Sequence, residues 1–303
     1  MRGRLLDTLF AAMAEDERLF FLTADMGINL VERFEQAYPR RFLNVGIAEQ
    51  NLIGVAAGLA GAGFRPFAYT ISNFLIHRAL EQIRNDVLLH ELPVTLLGTG
   101  AGWDNAPLGP THHILDDWGA VAALGGINGR GIEVYCPSSQ DYAGALVPRL
   151  IAAGRPAYVR LAKAASLAEA ETCADVVHLP GQPGGMLLIG YGTTTRQVLA
   201  ARQDAPGTGV LIFQKLVPMA SHEVGAILAG YRQAIVVEDH VPHSGLYARL
   251  CQESMRMGWD IRIGSAAPPG HSLVVSPDEA GYFRRFGMDA AALAEACRGA
   301  AQS

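Results

Sequence analysis

Residues Arg41 to Val87 read RFLNVGIAEQNLIGVAAGLAGAGFRPFAYTISNFLIHRALEQIRNDV, and this stretch decides the fold. RFLNVGI (Arg41 to Ile47) is a short apolar strand, Ala48 to Ala60 an Ala/Gly-rich helix, RPFAYT (Arg65 to Thr70) a second strand, and Phe74 to His90 another helix. Strand, helix, strand, helix at this spacing is the signature of a parallel sheet, because the crossover that returns the chain in register is a helix. The pattern continues on both sides. Leu5, Leu6, Leu9, Phe10 and Met13 recur at helical spacing before LFFLTAD (Leu19 to Asp25), and Leu30 to Tyr38 reads as a helix stopped by Pro39. PVTLLG (from Pro93), IEVYCPS (from Ile132) and AYVRLA (from Ala157) are further strands, with helices around Leu115 to Leu124 and Gln140 to Ala153. Strands that are apolar throughout, rather than alternating, belong to sheets covered on both faces.

The alternation breaks between Lys163 and Gly185, where AEAETCADVV and LPGQPGG read as a linker. It resumes with MLLIGYG, VLIFQ, AIVVEDH and DIRIG, strands that start at Met186, Val210, Ala234 and Asp260. The expectation is two three-layer α/β domains, residues 1–165 and 185–303, joined by 166–184. The chain's 303 residues suit two domains, and 50% hydrophobic content suits two cores. Lys+Arg 24 against Asp+Glu 29 gives a net charge of -5, with lysine only at 163 and 215, which argues against nucleic-acid and anionic-membrane partners. Cys136, Cys173, Cys251 and Cys297 form no C-x-x-C pair, so neither a disulfide framework nor a zinc site is expected and a cytoplasmic setting follows. The apolar run from Leu52 to Phe64 is short of the roughly 20 residues that span a bilayer. GTGAG (Gly98 to Gly102) follows a strand, but Trp103, Asp104 and Asn105 come next rather than a helix start, so it does not read as a nucleotide-phosphate loop.

Glu49 stands in the first turn of a helix that is otherwise Ala, Gly, Leu and Val. Such a carboxylate is stabilised by the helix dipole. On so apolar a helix it also becomes a candidate for burial, where a carboxylic acid can act as a hydrogen-bond donor.

NVGIAEQNLIGVAAGLAGAGFRPFAYTISNF resembles the pyrimidine-binding domain of thiamine-diphosphate enzymes of the transketolase type. In that family the Glu of the G-I-x-E motif holds a ring nitrogen of the cofactor's aminopyrimidine and activates the thiazolium carbon. The resemblance gives Glu49 that role. It makes Phe74, 25 residues on, the ring that stacks on the aminopyrimidine, with Gly46 and Ile71 lining the same slot. GPTHHILDDW, from Gly109, resembles the family's G-[PQ]-T-H-Q segment, so His112 is expected in the substrate channel as a proton-transfer group, with His113 in place of the usual Gln. VVEDHVPHSGLYARL, from Val236, resembles the family's C-terminal domain, which serves packing and dimerisation. The family's sugar-phosphate enzymes carry an Asp four residues before the channel His and a His twelve before; here those positions are Leu108 and Gly100, which puts the acceptor in doubt. Arg160, His77, Arg78 and Asp104 (with Asn105) are the expected substrate contacts, Arg160 keeping an anionic acceptor open.

The family's diphosphate-binding domain, with its G-D-G motif, has no counterpart here, and no metal ligands are expected on this chain. The resemblance therefore implies the C-terminal subunit of a split transketolase. It would take thiamine diphosphate and Mg²⁺, the latter held by a separate N-terminal subunit, in a heterotetramer that also self-associates through both domains. The reaction implied is transfer of a two-carbon ketol unit between sugars or sugar phosphates. The alternatives are the beta chain of a 2-oxo-acid dehydrogenase, a 1-deoxyxylulose-phosphate-synthase-like enzyme, and a non-catalytic scaffold.

Overall fold

The computed structural model describes residues 1–27, 29–125, 131–163, 173–271 and 275–300. The first six strands are β1 (Leu19–Thr23), β2 (Phe42–Asn44), β3 (Arg65–Ile71), β4 (Thr95–Thr99), β5 (Glu133–Tyr135) and β6 (Ala157–Leu161). Then come β7 (Val176–Leu179), β8 (Met186–Tyr191), β9 (Gly209–Phe213), β10 (Lys215–Val217), β11 (Gln233–Val237) and β12 (Arg262–Ala266). The first sheet runs β10-β5-β6-β4-β3-β1-β2 and the second β12-β11-β8-β9-β7. All pairings are parallel except β10 on β5 and β7 on β9. Two parallel-dominated sheets clad by helices confirm the expected α/β class.

Burial follows the apolar runs. β8 and β9 are buried along their whole lengths, as strands under helices on both faces must be. Helix Arg2–Glu15 lays Leu5, Leu6, Leu9 and Met13 into the core at three- and four-residue spacing. Helix Gln140–Ala153 opens on the Ser139 hydroxyl, which accepts from the Tyr142 amide at 3.1 Å, and closes on Gly154 at φ +58°.

Two features depart from the sequence reading. Val176–Leu179 falls in the stretch read as linker, yet forms β7 at the edge of the second sheet, with Val176 and Val177 buried. Its apolar pair completes the β9 ladder; residues 164–172 of that stretch lie outside the described residues. β10 leaves the second domain to pair with β5 of the first sheet. Gln214 fastens it there: its carbonyl accepts from the Cys136 amide at 2.8 Å and its side-chain oxygen from the Ser138 amide at 3.0 Å.

The domain junction is buried and polar. Arg160, 1% exposed, donates to Asp117 at 2.9 Å and pairs with Asp239 of the second domain at 3.0 Å. Trp118 Nε1 donates to the Tyr191 hydroxyl at 3.0 Å, and that hydroxyl donates to Glu238 at 3.0 Å. Glu238 also accepts the Leu246 and Tyr247 amides, capping helix Leu246–Met257; burial pushes its carboxyl up to about 7. One apolar cluster runs through this junction, from Leu22 and Leu52 to Leu246 and Leu250. The four cysteines are free. Among the described residues no helix is long and apolar enough to cross a membrane.

Candidate functional site

The chain leaves β1 for β2 on one side and returns across it to β3 on the other, so the sheet has a switch point at the carboxyl ends of β1 and β3. Loops that diverge there open a crevice, the usual ligand position in such sheets. Asn44, at the end of β2, ties the two loops on this side: its Oδ1 accepts the Asp25 amide at 2.9 Å and the Gly46 amide at 3.0 Å. Asp25 holds φ +45° and Gly46 φ +74°, left-handed turns at the rim of the crevice.

Glu49 is the first residue of helix Glu49–Gly61 and is buried, 4% exposed. It opens onto a cleft of about 640 Å³ lined by Ile47, Ala48, Gln50, Asn51 and Arg78. Opposite, Ile71 ends β3 and the chain turns into a π-helical segment, Phe74–Arg78, wound wider than an α-helix. That segment carries three of the expected side chains. Arg78 Nη1 donates to Glu49 Oε2 at 2.9 Å, and its guanidinium sits 4.0 Å from the Phe74 ring centroid. The His112 ring meets the same ring at a steep angle, centroids 5.2 Å apart. Asn73 reaches the Thr111 carbonyl at 2.7 Å, and the Thr111 hydroxyl hydrogen-bonds His112 Nδ1 at 3.0 Å. Glu49, Phe74, Arg78 and His112 thus converge from separate parts of the sequence.

His77, from the same π-helical segment, hydrogen-bonds Asp116 Oδ1 through Nε2 at 2.9 Å. His271, from the loop after β12, brings its Nε2 to 3.3 Å from the same oxygen. The hydrogen bond to Asp116 raises the His77 imidazole above its ordinary value. Burial opposes the Asp116 charge, but the two histidines hold its carboxyl down to about 2. The second domain, expected to serve only packing and dimerisation, therefore also places a side chain beside the site.

Two expected substrate contacts are elsewhere. Arg160 is enclosed between Asp117 and Asp239, so its charge is spent inside the junction and presents nothing to a ligand. Asp104 accepts the Lys163 amide at 2.9 Å, and burial raises its carboxyl. The residues acting on it are Lys163, Asp239 and Arg160, which put it with the junction rather than with Phe74. His113 is buried against Tyr282 at 5.3 Å, and burial lowers its imidazole. It belongs to an aromatic wall with Trp103, not to the channel.

The glycines of GTGAG are required by packing. A Cβ on Gly98 would press on Ser72 and Tyr158, one on Gly102 would strike Asp239, and one on Gly100 would collide with the Asn105 side chain. Asn105 therefore fills the space a side chain at position 100 would take. Sequence reasoning missed its partner. Lys163, at the carboxyl end of β6, donates to Asn105 Oδ1 at 2.6 Å and to the Asp104 carbonyl at 2.7 Å while remaining exposed. The available signal was that Lys163 is one of two lysines, three residues beyond Arg160.

A buried carboxylate and an aromatic ring thus share one arginine at the switch point of a parallel sheet. Residues 1–166 match the family model described as the transketolase pyrimidine binding domain, and the chain belongs to the transketolase family. It is 27% identical over 267 residues to one of the subunits of the apulose-4-phosphate transketolase of Actinobacillus succinogenes, covering 85% of this chain and 84% of that protein. It is 30% identical over 215 residues to a 6-deoxy-6-sulfo-D-fructose transketolase subunit of a Clostridium species, covering 69% and 65%. Against the 1-deoxy-D-xylulose-5-phosphate synthase of Rhodopirellula baltica it is 26% identical over 97% of this chain, but spans 47% of that protein. A solved structure described as a split gene transketolase, inactive beta4 tetramer, shares the fold with TM-score 0.83 at 23% identity, over 99% of this chain and 97% of that one. In extent, the chain corresponds to the subunits of split transketolases and to about half of the single-chain relatives.

Proposed function

We propose that this chain is the glutamate-bearing subunit of a two-chain transketolase that transfers a two-carbon ketol unit from a ketose donor to an aldehyde acceptor. The observation that carries the reading is the buried Glu49 carboxylate on a cleft where Arg78 bridges it to the Phe74 ring. One acceptor at a fixed height and one aromatic face are the donor set an aminopyrimidine needs, so the residues fit thiamine diphosphate. When bound, that cofactor supplies the nucleophilic carbon of the reaction. Glu49 then holds and exchanges a proton at a pyrimidine ring nitrogen, Phe74 stacks on the ring, and Gly46 and Ile71 bound the slot. His112, against the Phe74 ring, moves a proton at the substrate oxygen.

On this reading the Mg²⁺ and diphosphate ligands belong to a separate subunit. Ile47, 76% exposed, lines the Glu49 cleft, where an apolar side chain favours a covering partner. A heterotetramer with each site at a subunit interface is the assembly this predicts. Glu49→Gln tests the reading in the chain mixed with its diphosphate-binding partner. Ketol transfer should fall at least about a hundredfold, the scale of a lost proton-transfer group, while the complex still assembles. Retained activity would overturn the proposal.

A further inference from the structure

The contacts of Arg78 point to a second role inside the same cleft, one that rests on the reading of Glu49 and Phe74 as the pyrimidine slot. A guanidinium is a planar cation with hydrogen-bond donors along its edge, and it stacks on aromatic faces. Arg78 uses both properties at once: its edge donates to Glu49 Oε2 at 2.9 Å and its plane lies 4.0 Å from the centroid of Phe74. An aminopyrimidine that stacks on Phe74 while hydrogen-bonding Glu49 requires the same acceptor and the same face. His112 packs against the same ring, centroids 5.2 Å apart. The two occupants therefore exclude each other.

The mobility of the partners is unequal. The Glu49 side chain is 3% exposed and fixed at a helix start, whereas the Arg78 side chain is 46% exposed. Arg78 is the member that can leave. Gln50 and Asn51, exposed along the same cleft, offer it polar contacts once it has swung out. An exposed pair such as Arg18–Asp16, with no aromatic face beneath it, has nothing to compete for.

We propose that Arg78 is a built-in stand-in for the aminopyrimidine, which closes the slot until the cofactor displaces it. Apparent affinity then falls by the fraction of molecules whose slot is open, so a slot closed in about ten molecules for each open one weakens binding about tenfold. Because this chain's part of the site resists the pyrimidine, tight binding depends on the diphosphate contacts of the other subunit, and cofactor loading is coupled to assembly.

The test compares wild type with Arg78→Met, which keeps an unbranched side chain of similar reach but has neither charge nor plane. Calorimetry measures thiamine diphosphate with Mg²⁺ binding to the mixed subunits, and thiamine binding to this chain alone. Arg78→Met should bind about tenfold more tightly in both arms. Arg78→Lys, which keeps charge without the plane, should fall between wild type and Arg78→Met. Equal or weaker binding by Arg78→Met overturns the proposal, since Arg78 would then be neutral or a cofactor contact. Glu49→Gln added to Arg78→Met, where no stand-in remains, separates this failure from failure of the slot itself. If that addition weakens binding while Arg78→Met alone changes nothing, only the stand-in is wrong. If that addition leaves binding unchanged, the slot reading has failed with it.

Discussion

Arg160 gives the most direct check on how the two domains are held together. Its guanidinium lies 2.9 Å from Asp117 and 3.0 Å from Asp239, with all three side chains at 1% exposure or less. Two such pairs, with charge centres about 4 Å apart and an effective dielectric of about 20, represent roughly 4 kcal/mol of attraction each. Removing three charges from water offsets much of that sum, so the ion triad adds little net stability. Breaking it is different. Arg160→Met keeps much of the side-chain volume but leaves two carboxylates buried without a cation, and the expected loss is about 3–5 kcal/mol. At roughly 2–4 °C per kcal/mol for domains of this size, the melting temperature should fall by about 6–20 °C. Urea unfolding followed by circular dichroism measures it. Asp239→Asn added to Arg160→Met should recover part of the loss by removing one stranded charge. A loss below about 1 kcal/mol, or no recovery in the double variant, would refute the buried-clasp reasoning. An Arg160 that instead faced substrate would show a normal melting temperature and a raised KM.

The Asp116 cluster predicts a pH window. The raised His77 value means its contribution is complete below the ordinary 6.5 and fades as pH rises through the folded value. The lowered Asp116 value means its contribution is complete above the ordinary 3.8 and is lost as pH falls toward about 2. His77→Gln should therefore cost most between about pH 4 and 6.5, a few tenths of a kcal/mol for so exposed a pair, and little at pH 8.5. A cost independent of pH in thermal melts would count against the cluster.

Much of the site was legible because its chemistry is local. The Ala/Gly run after RFLNVGI places Glu49 in the first turn of its helix whatever the rest of the molecule does, and β3 brings Phe74 to the carboxyl edge of the sheet. Arg160 and Lys163 were not separable in this way. A β-strand turns successive side chains to opposite faces, so which residue of AYVRLAK is buried depends on what covers each face. Asp239, 79 residues further on, decides it by drawing Arg160 inward, and Asn105 holds the Lys163 ammonium.

The same division holds for the chain as a whole. Periodicity and apolar runs determined by themselves that there are two helix-clad parallel sheets, because a strand or helix must bury its own apolar face wherever it packs. β10 was decided only by tertiary structure: Lys215–Val217 follows directly on VLIFQ with no strand pattern of its own, and its place on the first sheet depends on the reach of Gln214 to Cys136 and Ser138. The Arg78–Glu49–Phe74 contact was decided there too. Charge and aromaticity at three positions name the possible partners, but the sequence carries no distance between elements; only the crossing of β2 and β3 at the switch point brings that cation, carboxylate and ring within one ligand's width.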